Sequence, residues 1–147
     1  MTVAVAVKKG DRIVLAADSL VNFGGQRYDP RNCRFRKIHL VGDSVIAWAG
    51  WSLYSELLEA HLQASPPPSL TSEGDVFSFF IRFWRTLRDD YSMRGPNTDA
   101  EHPFADLYST FLLVNRHGLF RVSSDMDVTE FQEYAAVGSG SKYALGA

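Results

Sequence analysis

The 147 residues include one cysteine, Cys33, which excludes a disulfide framework within the chain and suits a reducing cytoplasm. No apolar run approaches the roughly 20 residues that span a bilayer. The opening Met1-Thr2-Val3-Ala4-Val5-Ala6-Val7 is apolar, but no basic segment precedes it and Lys8-Lys9-Gly10 follows, so it reads as a strand and not an export signal. A basic excess is missing too: 15 Lys+Arg against 17 Asp+Glu leave a formal net charge of −2, which excludes a broadly basic nucleic-acid binder. His39, His61, His102 and His117 are too far apart for metal-ligand spacing, and read as surface or strand-pairing residues; no metal and no cofactor is expected. Repeats and low-complexity tracts are absent. With 46% hydrophobic and 13% aromatic residues, the chain is expected to form a single domain over 1–147, its core held without disulfides or metals.

Two apolar runs, 2–8 and 12–17, flank Lys9-Gly10-Asp11 and predict a β-hairpin. Neither face of the first run is polar, so it is expected to be buried on both sides. Residues 22–34 hold glycines, Pro30 and two asparagines and read as an irregular loop. Strands over 35–41 and 44–49 follow, joined at Gly42-Asp43. Leu53, Leu57, Leu58 and Leu62 then fall at helical spacing, with Ser52 as N-cap and Pro66 beyond the end. A second helix is predicted over about 75–91, apolar on more than one face, with Arg82, Arg85 and Arg88 on its wet side. Its aromatics suggest a contact surface for assembly. Residues 93–104 read as a polar loop, and 107–115 with 119–123 as a hairpin around Arg116-His117-Gly118. A strand over 131–137 follows, then a helix starting at Gly138-Ser139-Gly140-Ser141. That last helix has barely begun at Ala147; either the chain is expected to continue as part of a longer protein, or a partner supplies the missing layer.

Chemistry can start at Thr2. Methionine is normally removed when the next side chain is small, and the new terminus would carry a hydroxyl and a free α-amine on one residue. An α-amine titrates near about 7.7–8.0 and can accept the hydroxyl proton at neutral pH. A hairpin centred near Gly10 pairs residues whose numbers sum to about 19–21, which returns Asp18 to the side of Thr2. Lys37, one of four lysines, sits inside the apolar strand Phe35-Arg36-Lys37-Ile38-His39-Leu40. A lysine near a terminal amine keeps that amine neutral by like-charge repulsion; alternatively Lys37 is an edge-strand charge that opposes aggregation. Cys33 lies among Arg27, Arg31, Arg34 and Arg36 without a histidine partner and reads as an incidental thiol. Gly138-Ser139-Gly140 would suit a phosphate at a helix start, but lacks the lysine of a P-loop.

Thr2-Val-Ala-Val-Ala-Val7, Ala16-Ala17-Asp18-Ser19, Lys37-Ile38, Val45-Ile-Ala-Trp-Ala-Gly50 and Gly138-Ser-Gly-Ser141, in this order and spacing, resemble the proteasome β-subunit superfamily of N-terminal nucleophile hydrolases, which includes HslV and related bacterial proteasome homologues. The resemblance covers about 2–20, 35–62 and 135–147; roughly 65–105 has no counterpart. It implies an α+β fold, the four-layer αββα sandwich, with the C-terminal helices of that fold missing from this sequence. It also implies a threonine peptidase acting on unfolded polypeptides in the cytoplasm. Thr2 matches the nucleophile, Asp18 the carboxylate that pairs with the lysine, Lys37 the lysine that tunes the nucleophile, and Ser139 the serine that supports the terminal amine. Gly50 matches the glycine whose backbone N–H stabilises the oxyanion, although HslV has its glycine earlier in the segment. The stretch between Thr2 and Lys37 is a few residues longer than in HslV, so the 22–34 loop is expected to be remodelled. A homo-oligomeric ring or helical assembly is implied, with an ATP-dependent unfoldase by analogy, and neither nucleic acid nor membrane as partner. Two alternatives stand beside the peptidase: a catalytically silent structural subunit that keeps Met1, and a small-amide hydrolase with an open pocket.

Overall fold

In the computed structural model, Gly10 takes φ +58°, the left-handed backbone that suits a tight hairpin turn, and joins β1 (Ala4–Lys9) to β2 (Arg12–Ala17). The structure describes residues 2–23, 25–29, 31–33, 35–65, 69–92 and 109–146. Pairing runs from Ala4↔Ala17 to Lys9↔Arg12, within the register expected from the turn. The supposed irregular loop instead contains a small hairpin, β3 (Val21–Phe23) with β4 (Gln26–Tyr28). Three-residue strands are too short to give a period, which is why the sequence reads as a loop there. β5 (Ile38–Val41) and β6 (Ser44–Gly50) follow, turning at Gly42 with φ +57°.

Helix α1 (Leu53–Ala64) starts after Ser52, but Ser52 is itself helical in backbone and its hydroxyl caps nothing. In α2 (Glu73–Asp89) the Ser72 side chain does cap, accepting from the Asp75 N–H. The predicted polar loop at 93–104 lies outside the described residues, as do His102 and Pro66. β7 (Ser109–Val114) and β8 (Leu119–Val122) form the next hairpin. What reads as one strand over 131–137 is two: β9 (Val128–Phe131) pairs with β8, whereas β10 (Tyr134–Val137) pairs with β1. The chain changes sheets at Gln132-Glu133, and an alternating pattern carries no mark of that change. A short α3 (Ser141–Leu145) packs against β10 and β1.

The result is a five-stranded antiparallel sheet, β5-β6-β7-β8-β9, facing a three-stranded one, β10-β1-β2. The central strands are apolar throughout because both of their faces are covered. Ile46, Trp48, Phe111 and Leu113 point toward α1 and α2, where they meet Leu58, Phe80 and Phe83. The alternate residues Ala47, Ala49, Leu112 and Val114 point at the other sheet and meet Ala4, Ala6, Ala135 and Val137. Only half of the expectation for β1 holds: Ala4 and Ala6 are wholly buried, whereas Val7 is 48% exposed and its β2 neighbour Val14 65%. Arg82, Arg85 and Arg88 are exposed as predicted. Among the described residues no helix is long and apolar enough to cross a membrane.

Phe80 packs against Phe111 with ring centroids 4.8 Å apart and planes tilted by 48°, and has no exposed surface, whereas Leu40 on β5 is 80% exposed. Phe80→Ala is expected to destabilise the protein by about 3–5 kcal/mol, and Leu40→Ala to stay within about 0.5 kcal/mol. Urea unfolding at equilibrium reads both.

Candidate functional site

Three separated segments meet at the open end of the β1–β2 hairpin: Thr2 just before β1, Asp18 just after β2, and Lys37 just before β5. Hairpin pairing brings the first two together, with the Asp18 N–H donating to the Val3 carbonyl at 3.0 Å. Sheet packing supplies the third. Lys37 is not a surface charge on an edge strand; its side chain is 4% exposed and turned inward.

A buried ammonium must satisfy its N–H groups inside the protein, and it carries three. Lys37 Nζ donates to Leu20 O at 2.6 Å, Asp18 Oδ2 at 2.9 Å and Thr2 Oγ1 at 3.3 Å, which uses all three. Asp18 in turn accepts the Val3 N–H at Oδ1, 2.7 Å, and the Leu20 N–H at Oδ2, 3.0 Å. Partial burial by itself pushes the Asp18 carboxyl up. The Lys37 ammonium and the two backbone N–H groups outweigh it, and the group titrates below the usual carboxylate range.

The fourth segment is the turn between β10 and α3. The Thr2 N–H donates to Ser139 Oγ at 3.2 Å, and the Gly140 N–H donates to the Thr2 carbonyl at 3.0 Å. Gly138 holds φ +94°, and a Cβ there would run into the Thr2 carbonyl; Gly140 lies close to the Val3 side chain. Gly138 is needed for this close approach, whereas Gly140 leaves a tight fit beside Val3. The N–H that an anion would seek at this helix start is therefore engaged by Thr2.

Gly50 ends β6 with φ +143°. It lines a cleft of about 470 Å³ together with Thr2, Lys37 and Ser139. All five candidate residues are thus brought to one place, Asp18 from behind Lys37 and the others at the cleft wall. Sequence reasoning missed the Leu20 carbonyl, a backbone group with no side-chain signature. It also missed the steric role of Gly138, whose only signal was a glycine placed after a strand.

The remaining candidates lie elsewhere. His39 is a strand-pairing residue, opposite Ile46, and is buried: its Nε2 lies 2.8 Å from Ser55 Oγ, and burial lowers its pKa. His61 packs against Phe79 and Phe83. Cys33 is a half-buried free thiol, in a loop where Arg31 pairs with Asp29 at 2.7 Å.

No family model matches the chain. It is similar over its whole length to solved structures of Thiobacillus denitrificans BPH, at 32% identity with TM-score 0.88, and at 31% with TM-score 0.89 for the complex with epoxomicin. In both it covers 76% of the relative. The chain belongs to the proteasome β-subunit/HslV superfamily. Its mixed α+β fold is that of the N-terminal nucleophile hydrolases. The ATP-dependent protease subunit HslV of Campylobacter concisus is 28% identical, with 99% of this chain matching 75% of that protein. The helical assembly of the Anbu complex from Pseudomonas aeruginosa shares the fold, at 16% identity and TM-score 0.66 over 94% of this chain and 61% of that one.

Two outcomes follow for this superfamily member. Gly138→Ala should lower stability and shift Thr2, read as lost thermal stability together with changed amide signals at residues 2 and 3. The Asp18 carboxylate contributes to stability in full above its unfolded pKa of about 3.9, and that contribution is lost as pH falls through its depressed native value. Asp18→Asn should cost about 2–4 kcal/mol at neutral pH. In unfolding measured against pH, its difference from the parent should shrink below about pH 4.

Proposed function

We propose that this chain is an N-terminal threonine peptidase that hydrolyses peptide bonds of unfolded polypeptides once Met1 has been removed. The observation that carries the reading is the pairing of contacts on one residue: Lys37 Nζ at 3.3 Å from Thr2 Oγ1 and Ser139 Oγ at 3.2 Å from Thr2 N, both at the wall of an open cleft. With Met1 attached the Thr2 nitrogen is an amide and cannot serve as a base.

In this mechanism Thr2 Oγ1 attacks the substrate carbonyl carbon, and its proton passes to the Thr2 α-amine directly or through one water. Positioned base action of this kind contributes about 10²–10⁴-fold. Lys37 lowers the cost of negative charge on Oγ1, Asp18 holds Lys37, and Ser139 orients the amine. The Gly50 N–H stabilises the oxyanion, a contribution of about 2.7–4 kcal/mol for such a donor. Collapse of the tetrahedral intermediate breaks the C–N bond, and the leaving nitrogen takes the proton from the amine. Water, activated by the same amine, then hydrolyses the ester and releases Thr2.

The four-layer αββα arrangement is part of the same proposal, with α3 as the start of the outer helical layer. So is self-assembly into a ring or helical array, supported by the named helical assembly of Anbu and by Phe77 on α2, which is 45% exposed. An ATP-dependent unfoldase as partner is supported by the name of the HslV relative. A cytoplasmic setting is supported by the lone free cysteine.

Intact mass of the purified protein is expected to lack Met1, and epoxomicin, which the BPH relative binds, is expected to add to it. Thr2→Ala should abolish both labelling and turnover of an unfolded polypeptide, and Lys37→Ala should reduce turnover at least about 100-fold. Retention of Met1 in an assembled protein with no turnover would instead identify a silent structural subunit. Unchanged turnover in Lys37→Ala would remove the lysine from the mechanism.

A further inference from the structure

His39 on β5 and Ser55 in the first turn of α1 meet behind the site, with Nε2 and Oγ 2.8 Å apart. That is the spacing of a base and a nucleophile. Both residues are buried, however, at 8% and 3% exposure, and neither lines the cleft beside Thr2. No substrate reaches them there, so the partners of this pair have to be found inside the protein.

Ser55 Oγ also donates to the Arg36 carbonyl at 3.4 Å. A hydroxyl has one proton; given to that carbonyl, it leaves Oγ to accept from His39, and the imidazole then carries its proton on Nε2. Burial favours this neutral ring, and Arg36 acts in the same direction; together they outweigh Glu59 and Glu56 on α1, which favour the cation. The same carbonyl accepts from Trp48 Nε1 at 3.3 Å. Two long hydrogen bonds thus converge on one peptide group, the one that joins Arg36 to Lys37. On the other side of Lys37, its own carbonyl accepts the Trp48 N–H at 3.2 Å. Both peptide planes that meet at the Lys37 Cα are therefore held, and with them the direction in which the side chain leaves the backbone. A lysine Nζ stands about 6 Å from its Cα, so a tilt of about 10° there moves it by about 1 Å, a misplacement that can cost on the order of 100-fold in rate.

We propose that His39 and Ser55 are positioning residues for Lys37: His39 orients the Ser55 hydroxyl, and that hydroxyl, with the Trp48 indole, sets the peptide group from which Lys37 reaches Thr2 Oγ1. The effect on turnover rests on the Thr2 peptidase reading.

Ser55→Ala should lower kcat about tenfold while KM for a short fluorogenic peptide stays within about twofold, because Trp48 still holds the carbonyl. His39→Leu should do the same, and the double variant should be no slower than either single one, since the two residues act in one chain. His39→Gln, whose amide N–H can replace the imidazole donor, should recover most of the loss. Unchanged kcat in Ser55→Ala, losses that multiply in the double variant, or no recovery in His39→Gln overturns the proposal. Should Ser55→Ala not fold, His39→Leu against His39→Gln makes the same comparison. A second arm needs no turnover. Lys37 is one of four lysines and the buried one among them, so isotope-labelled lysine gives it a signal of its own. Its Cε resonance should move in Ser55→Ala and in His39→Leu, and return to the parent position in His39→Gln. An unmoved resonance in the first two overturns the proposal. Absence of turnover in the parent would defeat the peptidase reading, whereas the lysine resonance would still decide for or against His39 and Ser55.

Discussion

A lysine ammonium removed from water has to be met by acceptors from the protein, and the site is organised around that need. Lys37 comes from the edge of one sheet, while its partners come from the hairpin end of the other. An unmet ammonium at 4% exposure would cost several kcal/mol. The packed state therefore favours the arrangement in which Asp18, Leu20 and Thr2 stand where Lys37 can reach them. Asp18 serves both ends of this arrangement: its two oxygens accept from Val3 and Leu20 while pairing with Lys37. The contacts that satisfy Lys37 between the two sheets thus also set the position of the Thr2 hydroxyl.

Such an approach requires small side chains between the layers. Alanines supply them at residues 4, 6, 47, 49 and 135, all buried in the inter-sheet cluster. Larger residues are moved to the opposite face of the same strands, where Phe111, Trp48 and Ile46 fill the space under α1 and α2. The helix side thus provides most of the bulky apolar burial, and the inter-sheet side provides proximity. At the Thr2 carbonyl even alanine is too large, and Gly138 takes its place.

Much of this was legible in the sequence, for identifiable reasons. The β1–β2 register followed from one glycine turn and two apolar runs, and it carried Asp18 to Thr2. The helices followed from leucine and phenylalanine spacing. Less legible were features in which distant segments decide the outcome. Residues 128–137 divide between two sheets, yet their alternation reads as a single strand. A lysine in an apolar segment gives the same local pattern whether it faces solvent or core; Lys37 in fact lies just ahead of β5, and only the second sheet makes it a buried one. Likewise Trp48 and Trp51 are three residues apart and indistinguishable by composition, but β6 ends at Gly50. The first is a strand residue under α1, and the second is left at the cleft rim.

The end of that strand and the start of β1 together explain why the candidate nucleophile, two residues ahead of β1, is held in place although it lies outside the strand. Fixing a backbone residue costs about 1–2 kcal/mol of conformational entropy. Here the cost is met before any ligand arrives: the Thr2 carbonyl is held by the Gly140 N–H, and the next amide by Asp18. Only the Thr2 nitrogen and side chain keep free valence toward the cleft, and Ser139 and Lys37 orient even those. A group held in this way needs little reorganisation to attack, which is the physical basis of high effective molarity. A threonine on an ordinary loop would have the same hydroxyl, but neither the backbone clamp nor a strand end at which its nitrogen can be freed from the chain.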